Sequence, residues 1–283
     1  MTFSSPVTRF APSPTGFLHL GHAFCALFAH GQAVDRGGRF LLRIEDIDPV
    51  RCKLDFETAI YEDLSWLGLT WEMPVRRQSD HLADYRQALD RLEGMGLLYP
   101  CFCSRKDIAS SGQAPHGPDG PLYPGICKRL SLDQRAERIG AGQPFALRLE
   151  MERAVALAGA LTWRDLDQGE QKARPEIFGD VVLARKDAPT SYHLAVTLDD
   201  HLQEVTLVTR GVDLFEATHV HRLLQALLGL NVPAWRHHPL LMGPSGLRLA
   251  KRDQAQSLRA LRNEGLSPQA VRSMAMGRES ANP

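Results

Sequence analysis

Apolar positions recur along this chain in two rhythms. Val7-Thr8-Arg9-Phe10-Ala11 has the composition of a strand, closed by prolines at 12 and 14. From Leu18 to Val34 the apolar residues Leu20, Phe24, Leu27 and Phe28 fall at helical spacing. Gly37-Gly38 marks a turn, and Arg39 to Ile44 alternates as a strand does. Strand, helix and strand at this length make one βαβ unit. Two further helical stretches run over 56–67 and 82–95. Residues 110–125 are rich in glycine and proline and sit between Cys103 and Cys127, so this segment has the character of an insertion. Short buried strands are expected at 181–184 and 205–209, and a helix over 217–228 that ends at Gly229. There is no internal repeat and no low-complexity tract. Strands alternating with helices predict an α/β fold built on a parallel sheet.

Composition narrows the class. With 283 residues and 43% hydrophobic content the chain can bury a sizeable core, either as one large domain or as one with an inserted subdomain. No run of eighteen apolar residues occurs, so no membrane span is expected. Residues 1–6 lack the basic-then-apolar pattern of a signal peptide. The five cysteines, Cys25, Cys52, Cys101, Cys103 and Cys127, are odd in number, which argues against a disulfide framework and fits a reducing cytoplasm. Formal charge sums to zero, unlike a general nucleic-acid coat. Local basic density does rise toward the C-terminus, at Arg236, His237, His238, Arg248, Lys251, Arg252, Arg259 and Arg262. These residues are expected on a solvated helical surface or a local basic face.

Three constellations carry candidate chemistry. Between the first strand and first helix stands Pro12-Ser13-Pro14-Thr15-Gly16-Phe17-Leu18-His19-Leu20-Gly21-His22. A helix N-terminus offers unsatisfied backbone N–H groups and partial positive charge to a phosphate. Gly16 and Gly21 permit close approach of the backbone, and His19 and His22, three apart, share one face. Far downstream, Gly243 and Gly246 flank a loop ending in Lys251, a movable cation suited to electrostatic stabilisation. At the ends of the first two strands, Arg9 and Glu45 occupy the place where open α/β sheets bind ligands, and together they suit one small zwitterion. Asp46 and Asp48 are expected as a solvated acidic turn. Finally, Cys101, Cys103 and Cys127 suit a structural Zn²⁺, with Tyr123, His116 or water as fourth ligand. Cys25 and Cys52 are expected as core and surface thiols.

The run Arg9-Phe10-Ala11-Pro12-Ser13-Pro14-Thr15-Gly16, its His19-Leu20-Gly21-His22 continuation, and Leu247-Arg248-Leu249-Ala250-Lys251-Arg252-Asp253 together resemble the two signature motifs of class I aminoacyl-tRNA synthetases, in their glutamyl branch. The resemblance extends from Val7 to about Arg262. It implies a Rossmann-like catalytic domain in two halves, 1–98 and 176–230, with a zinc-bearing, acceptor-binding insertion at 99–175 and a loop and helical part at 231–283. It implies ATP, with Mg²⁺, held by His19, Gly21, His22 and Lys251. Glutamate would be held by Arg9, Phe10, Ala11, Pro12, Ser13, Glu45, Tyr192 and Arg210. His19, His22 and Lys251 would be catalytic. It also favours Tyr123 as the fourth zinc ligand. The second motif departs from the family pattern: Arg248 stands where relatives have lysine, and Ala250 where they have serine, which bears on rate rather than on identity.

A glutamyl-tRNA synthetase continues well past its second motif into an anticodon-binding part, whereas this sequence ends about thirty residues after it. In this it resembles the shortened paralogues, the glutamyl-queuosine tRNA(Asp) synthetases. That resemblance implies tRNA-independent activation of L-glutamate, then transfer to queuosine in tRNA(Asp), by a cytoplasmic monomer without a membrane partner. The rival readings are a shortened synthetase charging the 3′ end of tRNA(Glu), an enzyme making a small glutamyl metabolite, and a non-catalytic nucleotide- or RNA-binding paralogue.

Overall fold

Strand β1 (Val7–Phe10) is buried at each of its positions, and helix α1 (Leu20–Val34) packs back on it, with Thr8 Oγ1 donating to the Ala29 carbonyl at 2.8 Å. Strand β2 (Arg39–Ile44) then pairs parallel to β1, completing the βαβ unit. The computed structural model describes residues 5–110, 116–241 and 256–277. After β2 come α2 (Leu54–Trp66), the short β3 (Arg76–Arg77), which pairs parallel to β2, and α3 (Leu82–Gly94).

The chain then leaves the parallel sheet. Strand β4 (Leu98–Cys101) leads to α4 (Arg105–Ser110), a small hairpin of β5 (His116–Gly117) and β6 (Gly120–Pro121), α5 (Leu132–Gly140) and β7 (Ala146–Leu149). The glycine- and proline-rich stretch expected as loop therefore carries a hairpin in its described part. Helix α6 (Met151–Ala158) and the hairpin β8 (Thr162–Asp165) and β9 (Gly169–Lys172) follow. Strand β10 (Val182–Ala184) joins β7 and β4 in an antiparallel sheet, in the order β10-β7-β4. A strand was expected here, and it forms, but outside the parallel sheet.

The chain returns through α7 (Tyr192–Leu202), β11 (Leu207–Gly211), α8 (Ala217–Leu228) and β12 (Ala234–His238). Strands β11, β12 and β8 run parallel, with β9 antiparallel at the edge. This sheet meets β1 where the Thr206 N–H donates to the Val7 carbonyl at 3.0 Å. The result is a Rossmann-like parallel arrangement with helices on its faces. Helix α8 ends where expected: Gly229 takes φ +62°, the left-handed conformation that closes a helix and that glycine adopts without steric cost. Leu223 and Leu224 of α8 are fully buried, each worth about 1.5–3 kcal/mol of burial.

Helices α9 (Leu258–Asn263) and α10 (Pro268–Ala275) close the described chain against α1 and α2. The Leu258 N–H donates to the Leu18 carbonyl at 2.7 Å, and Ser257 bridges to His19. Among the described residues, no helix is long and apolar enough to cross a membrane.

Candidate active site

A cavity of about 360 Å³ opens at the carboxyl ends of β1, β2 and β11. Arg9, Phe10, Ala11, Pro12, Ser13, Glu45, Tyr192, Arg210 and His22 all line it. Nine of the residues singled out in the sequence thus share one wall, though they come from segments some 200 positions apart. A larger cavity, about 670 Å³, lies elsewhere, against Met151, Val155 and Leu223. Of its charged residues, Glu152, Lys172 and Glu176 are exposed, Lys128 is half-buried, and Asp180 already accepts from Tyr99 Oη at 2.6 Å and the Met151 N–H at 2.8 Å.

The two arginines of the site differ in kind. Arg9 is already ion-paired: its Nε donates to Asp200 Oδ1 at 3.0 Å and its Nη1 to the Thr209 carbonyl at 3.1 Å. Asp200 also accepts from Arg43 Nη1 at 2.8 Å, and Arg43 reaches Glu45 Oε1 at 3.3 Å and Asp199 Oδ2 at 3.8 Å. Burial works against the Asp200 carboxylate, but Arg9 and Arg43 hold it below its ordinary range. Burial raises Glu45, with Arg43 and Arg9 pulling the other way.

Arg210 has no such partner. It is buried, and its donors reach His237 Nε2 (3.2 Å), Tyr192 Oη (3.4 Å), His221 Nδ1 (3.2 Å) and Thr218 Oγ1 (2.6 Å). All four are neutral acceptors, and among the described residues no carboxylate lies within ion-pair distance. Burial depresses its pKa accordingly. Thr209, whose hydroxyl is buried without a hydrogen-bond partner among the described residues, lies on the same wall.

At the start of α1, His19 and His22 perform a task the sequence did not predict. His19 Nδ1 accepts from the Gly21 N–H at 3.1 Å, and His22 Nδ1 accepts from the His19 N–H at 3.2 Å. The two imidazoles, 3.8 Å apart, form a reciprocal cap on the helix N-terminus. Lys251, with Arg248, Ala250 and Arg252, lies outside the described residues. Of the residues flanking that segment, Leu240 lines the cavity, and Ser257 pairs with His19, which does not line it.

Two expectations are corrected. Asp46 and Asp48 are buried rather than a solvated turn: Asp46 accepts from the Ser79 N–H and hydroxyl (2.8 and 2.6 Å), and Asp48 from Arg51 at 2.8 Å and Arg185 at 3.3 Å. Arg236, His237 and His238 stand on strand β12 rather than a helical face, and both histidines are buried because β12 lies inside the sheet. The sequence reading also missed Arg43, Asp199, Asp200, Thr218 and His221. The one available signal was Asp199-Asp200 directly after the apolar run Leu194–Leu198, a place where solvated charges do not belong.

Residues 6–279 match the family described as tRNA synthetases class I (E and Q), catalytic domain. The chain belongs to the class I tRNA synthetases of the glutamate and glutamine type. A protein of Rhodobacter capsulatus named glutamyl-Q tRNA(Asp) synthetase is 52% identical over 94% of this chain and 98% of its own length. A glutamyl-Q tRNA(Asp) synthetase of Symbiobacterium thermophilum is 43% identical, over 93% of this chain and 83% of its own length. The glutamate-tRNA synthetase structure of Elizabethkingia anophelis superposes with a TM-score of 0.80 at 26% identity, covering 96% of this chain and 61% of that one. The protein is a class I ligase.

In this synthetase the Sγ atoms of Cys101, Cys103 and Cys127 lie within 4.8 Å of one another. Cys103 and Cys127 are 3.5 Å apart, near the roughly 3.8 Å separation of two sulfurs on one tetrahedral zinc. Tyr123 Oη is 3.7 Å from Cys103 Sγ and accepts the Cys127 N–H at 2.7 Å. Cys101 and Cys127 are buried beside Tyr99 and Phe102, and the half-buried Cys103 and Tyr123 converge on them from the rim. Three thiols and a phenol oxygen in this arrangement fit a structural zinc. The side chain of His116 lies outside the described residues.

Proposed function

We propose that this synthetase activates L-glutamate with ATP, without tRNA, and passes the glutamyl group to queuosine at the wobble position of tRNA(Asp). The observation that carries the glutamate assignment is Arg210, a buried guanidinium with neutral partners only, at the wall of a cavity of about 360 Å³. Burying a charge without a counter-charge is costly, and a ligand carboxylate offsets that cost. Arg210 and Tyr192 take the side-chain carboxylate of glutamate. Glu45, with Ser13 beside it, takes the α-ammonium. Phe10, Ala11 and Pro12 form the wall, and Arg9, held by Asp200, turns its remaining N–H donors to the α-carboxylate.

One α-carboxylate oxygen attacks the α-phosphorus of ATP, the bond to the bridging oxygen breaks, and pyrophosphate leaves with that electron pair. The N-terminus of α1, with Gly21, His19 and His22, holds the phosphates of MgATP. Lys251 closes on the leaving pyrophosphate and stabilises charge that develops in the transition state. A hydroxyl of the queuosine diol then attacks the glutamyl carbonyl and AMP departs. The names of the relatives that match nearly end to end support this acceptor. Zinc, held by Cys101, Cys103, Cys127 and Tyr123, is structural and takes no part in these steps.

The test has two arms. Purified protein exchanges pyrophosphate into ATP with L-glutamate and no tRNA, and labelled glutamate appears on queuosine-containing tRNA(Asp) alone. Exchange that needs tRNA, or label on the 3′ end of tRNA(Glu), favours the rival reading of a tRNA(Glu)-charging enzyme.

A further inference from the structure

A buried arginine in this protein ordinarily meets a carboxylate. Arg9 and Arg43 share Asp200, and Arg76 Nε donates to Asp199 at 2.8 Å. Arg210 departs from that pattern, and α8 and β12 supply the reason. Thr218 and His221, three apart on α8, face the guanidinium from one side, while His237 faces it from the adjacent strand.

An arginine can only donate, so each ring nitrogen opposite it must be an unprotonated acceptor. His237 therefore carries its proton on Nδ1, which lies 2.7 Å from Asp165 Oδ2. His221 carries its proton on Nε2, which lies 3.2 Å from His193 Nδ1. Both rings are thus fixed in one tautomer by a second contact. Burial and the adjacent guanidinium keep them neutral: His221 titrates well below its ordinary value, and His237 is pushed down to about 4.

We infer that His221 is a specificity-determining positioning residue: its neutral nitrogen holds the Arg210 guanidinium in place without neutralising it, reserving that charge for a side-chain carboxylate rather than a carboxamide. The inference rests on the glutamate reading above. A glutamate or aspartate in its place would satisfy the same donor geometry, but it would cancel the charge that distinguishes glutamate from glutamine. A site whose buried donors expect an anion rejects the neutral isostere because the charge is then left unpaired. Placing an acceptor of the wrong charge in the wall is the complementary device.

The experiment compares the full-length wild type with His221→Gln and His221→Glu in amino-acid-dependent ATP–pyrophosphate exchange. KM and kcat are measured separately for glutamate and for glutamine, with thermal unfolding of each variant alongside. Gln offers the same neutral acceptor and a donor for His193, so it rescues: glutamate KM rises by less than about tenfold and glutamate remains preferred. Glu raises glutamate KM by about a hundredfold or more, as loss of a desolvated charge pair does, and the preference over glutamine collapses. If His221→Glu does not fold, His221→Asp is measured in its place, since its shorter carboxylate still faces the guanidinium. A carboxylate variant whose glutamate KM stays within about threefold of His221→Gln overturns the inference, because charge would then not matter. So does a Gln variant as impaired as the Glu variant, because shape alone would explain the loss. A wild type that ignores glutamate fails the functional reading itself, and the wild-type control separates that outcome from the other two.

Discussion

Asp63, on α2, is 1% exposed, and its Oδ2 has no hydrogen-bond partner among the described residues. Burial raises its pKa to about 6 from 3.8, although Arg262 and Arg259 work against the shift. A carboxyl whose folded value lies above its unfolded one favours folding in its protonated form. No penalty exists below about pH 4, the penalty grows as pH rises toward 6, and it is complete above that. A rise from 3.8 to about 6 corresponds to ~3 kcal/mol at most, and relaxation of the site reduces this to about 1–2 kcal/mol. Asp63→Asn should therefore stabilise the protein by about that amount at pH 7.5 and by nothing near pH 4, read from urea denaturation at both values. An equal gain at both pH values would assign the effect to packing instead. At this scale the sequence singled out residues that line one cavity, but not their states. Arg9 and Arg210 look alike in sequence, each at the end of a strand. One is paired to Asp200 and the other is held by histidines, and that difference depends on partners from 8 to 200 positions away. Spacing cannot reveal such partners.

Elements whose ends are punctuated in the sequence were legible. β1, α1, β2 and α8 fall within two residues of expectation at each end, because Pro12, Gly37-Gly38 and Gly229 mark where the chain must turn. Helix α7 was missed for want of a period. From Leu194 to Asp200 it is buried on all sides, including Thr197, Asp199 and Asp200, so no period of 3.6 appears. Strand β12 was hidden by its own chemistry, since Trp235, Arg236, His237 and His238 do not alternate. The cysteine trio was legible from composition, and its geometry adds what spacing lacked. Cys101 ends β4 and Cys103 follows it, while Cys127 and Tyr123 come from the segment after β6, so a metal would pin the two together. Protein purified without added metal should carry one zinc per chain by elemental analysis. Cys103→Ser should lose most of it and lower the unfolding temperature, with glutamate exchange reduced less than stability, because none of Cys101, Cys103, Cys127 and Tyr123 lines the cavity at the ends of β1, β2 and β11. Full zinc in that variant would remove Cys103 from the set.

The two parts of the parallel sheet are made by residues far apart in sequence, and their assembly was the least legible feature of the molecule. Asp199 and Asp200 of α7 close that gap. Asp199 is fully buried and accepts from Arg76 Nε (2.8 Å), Gln78 Nε2 (2.8 Å) and Tyr85 Oη (2.9 Å), all from the N-terminal part. Asp200 takes Arg9 of β1 and Arg43 of β2. Removing one partner of a buried ion pair typically costs 3–5 kcal/mol, because the other is left buried and uncompensated. Asp199→Asn keeps the volume and removes the charge, while Arg76 retains Asp84 at 2.6 Å and Arg43 retains Asp200 at 2.8 Å. We therefore expect a loss at the low end of that range, about 3 kcal/mol, in urea denaturation, with the midpoint falling and the slope unchanged. The exposed pair Arg39–Glu72, at 2.7 Å, provides the internal comparison. Its side chains are 48% and 44% exposed, so Glu72→Gln should cost ~1 kcal/mol or less. If the two substitutions cost the same, hydrophobic packing alone joins the halves and the buried charges serve only the cavity. If Asp199→Asn costs several times more, the residues that hold the cavity of Arg9 and Arg210 in shape are also those that hold the molecule together.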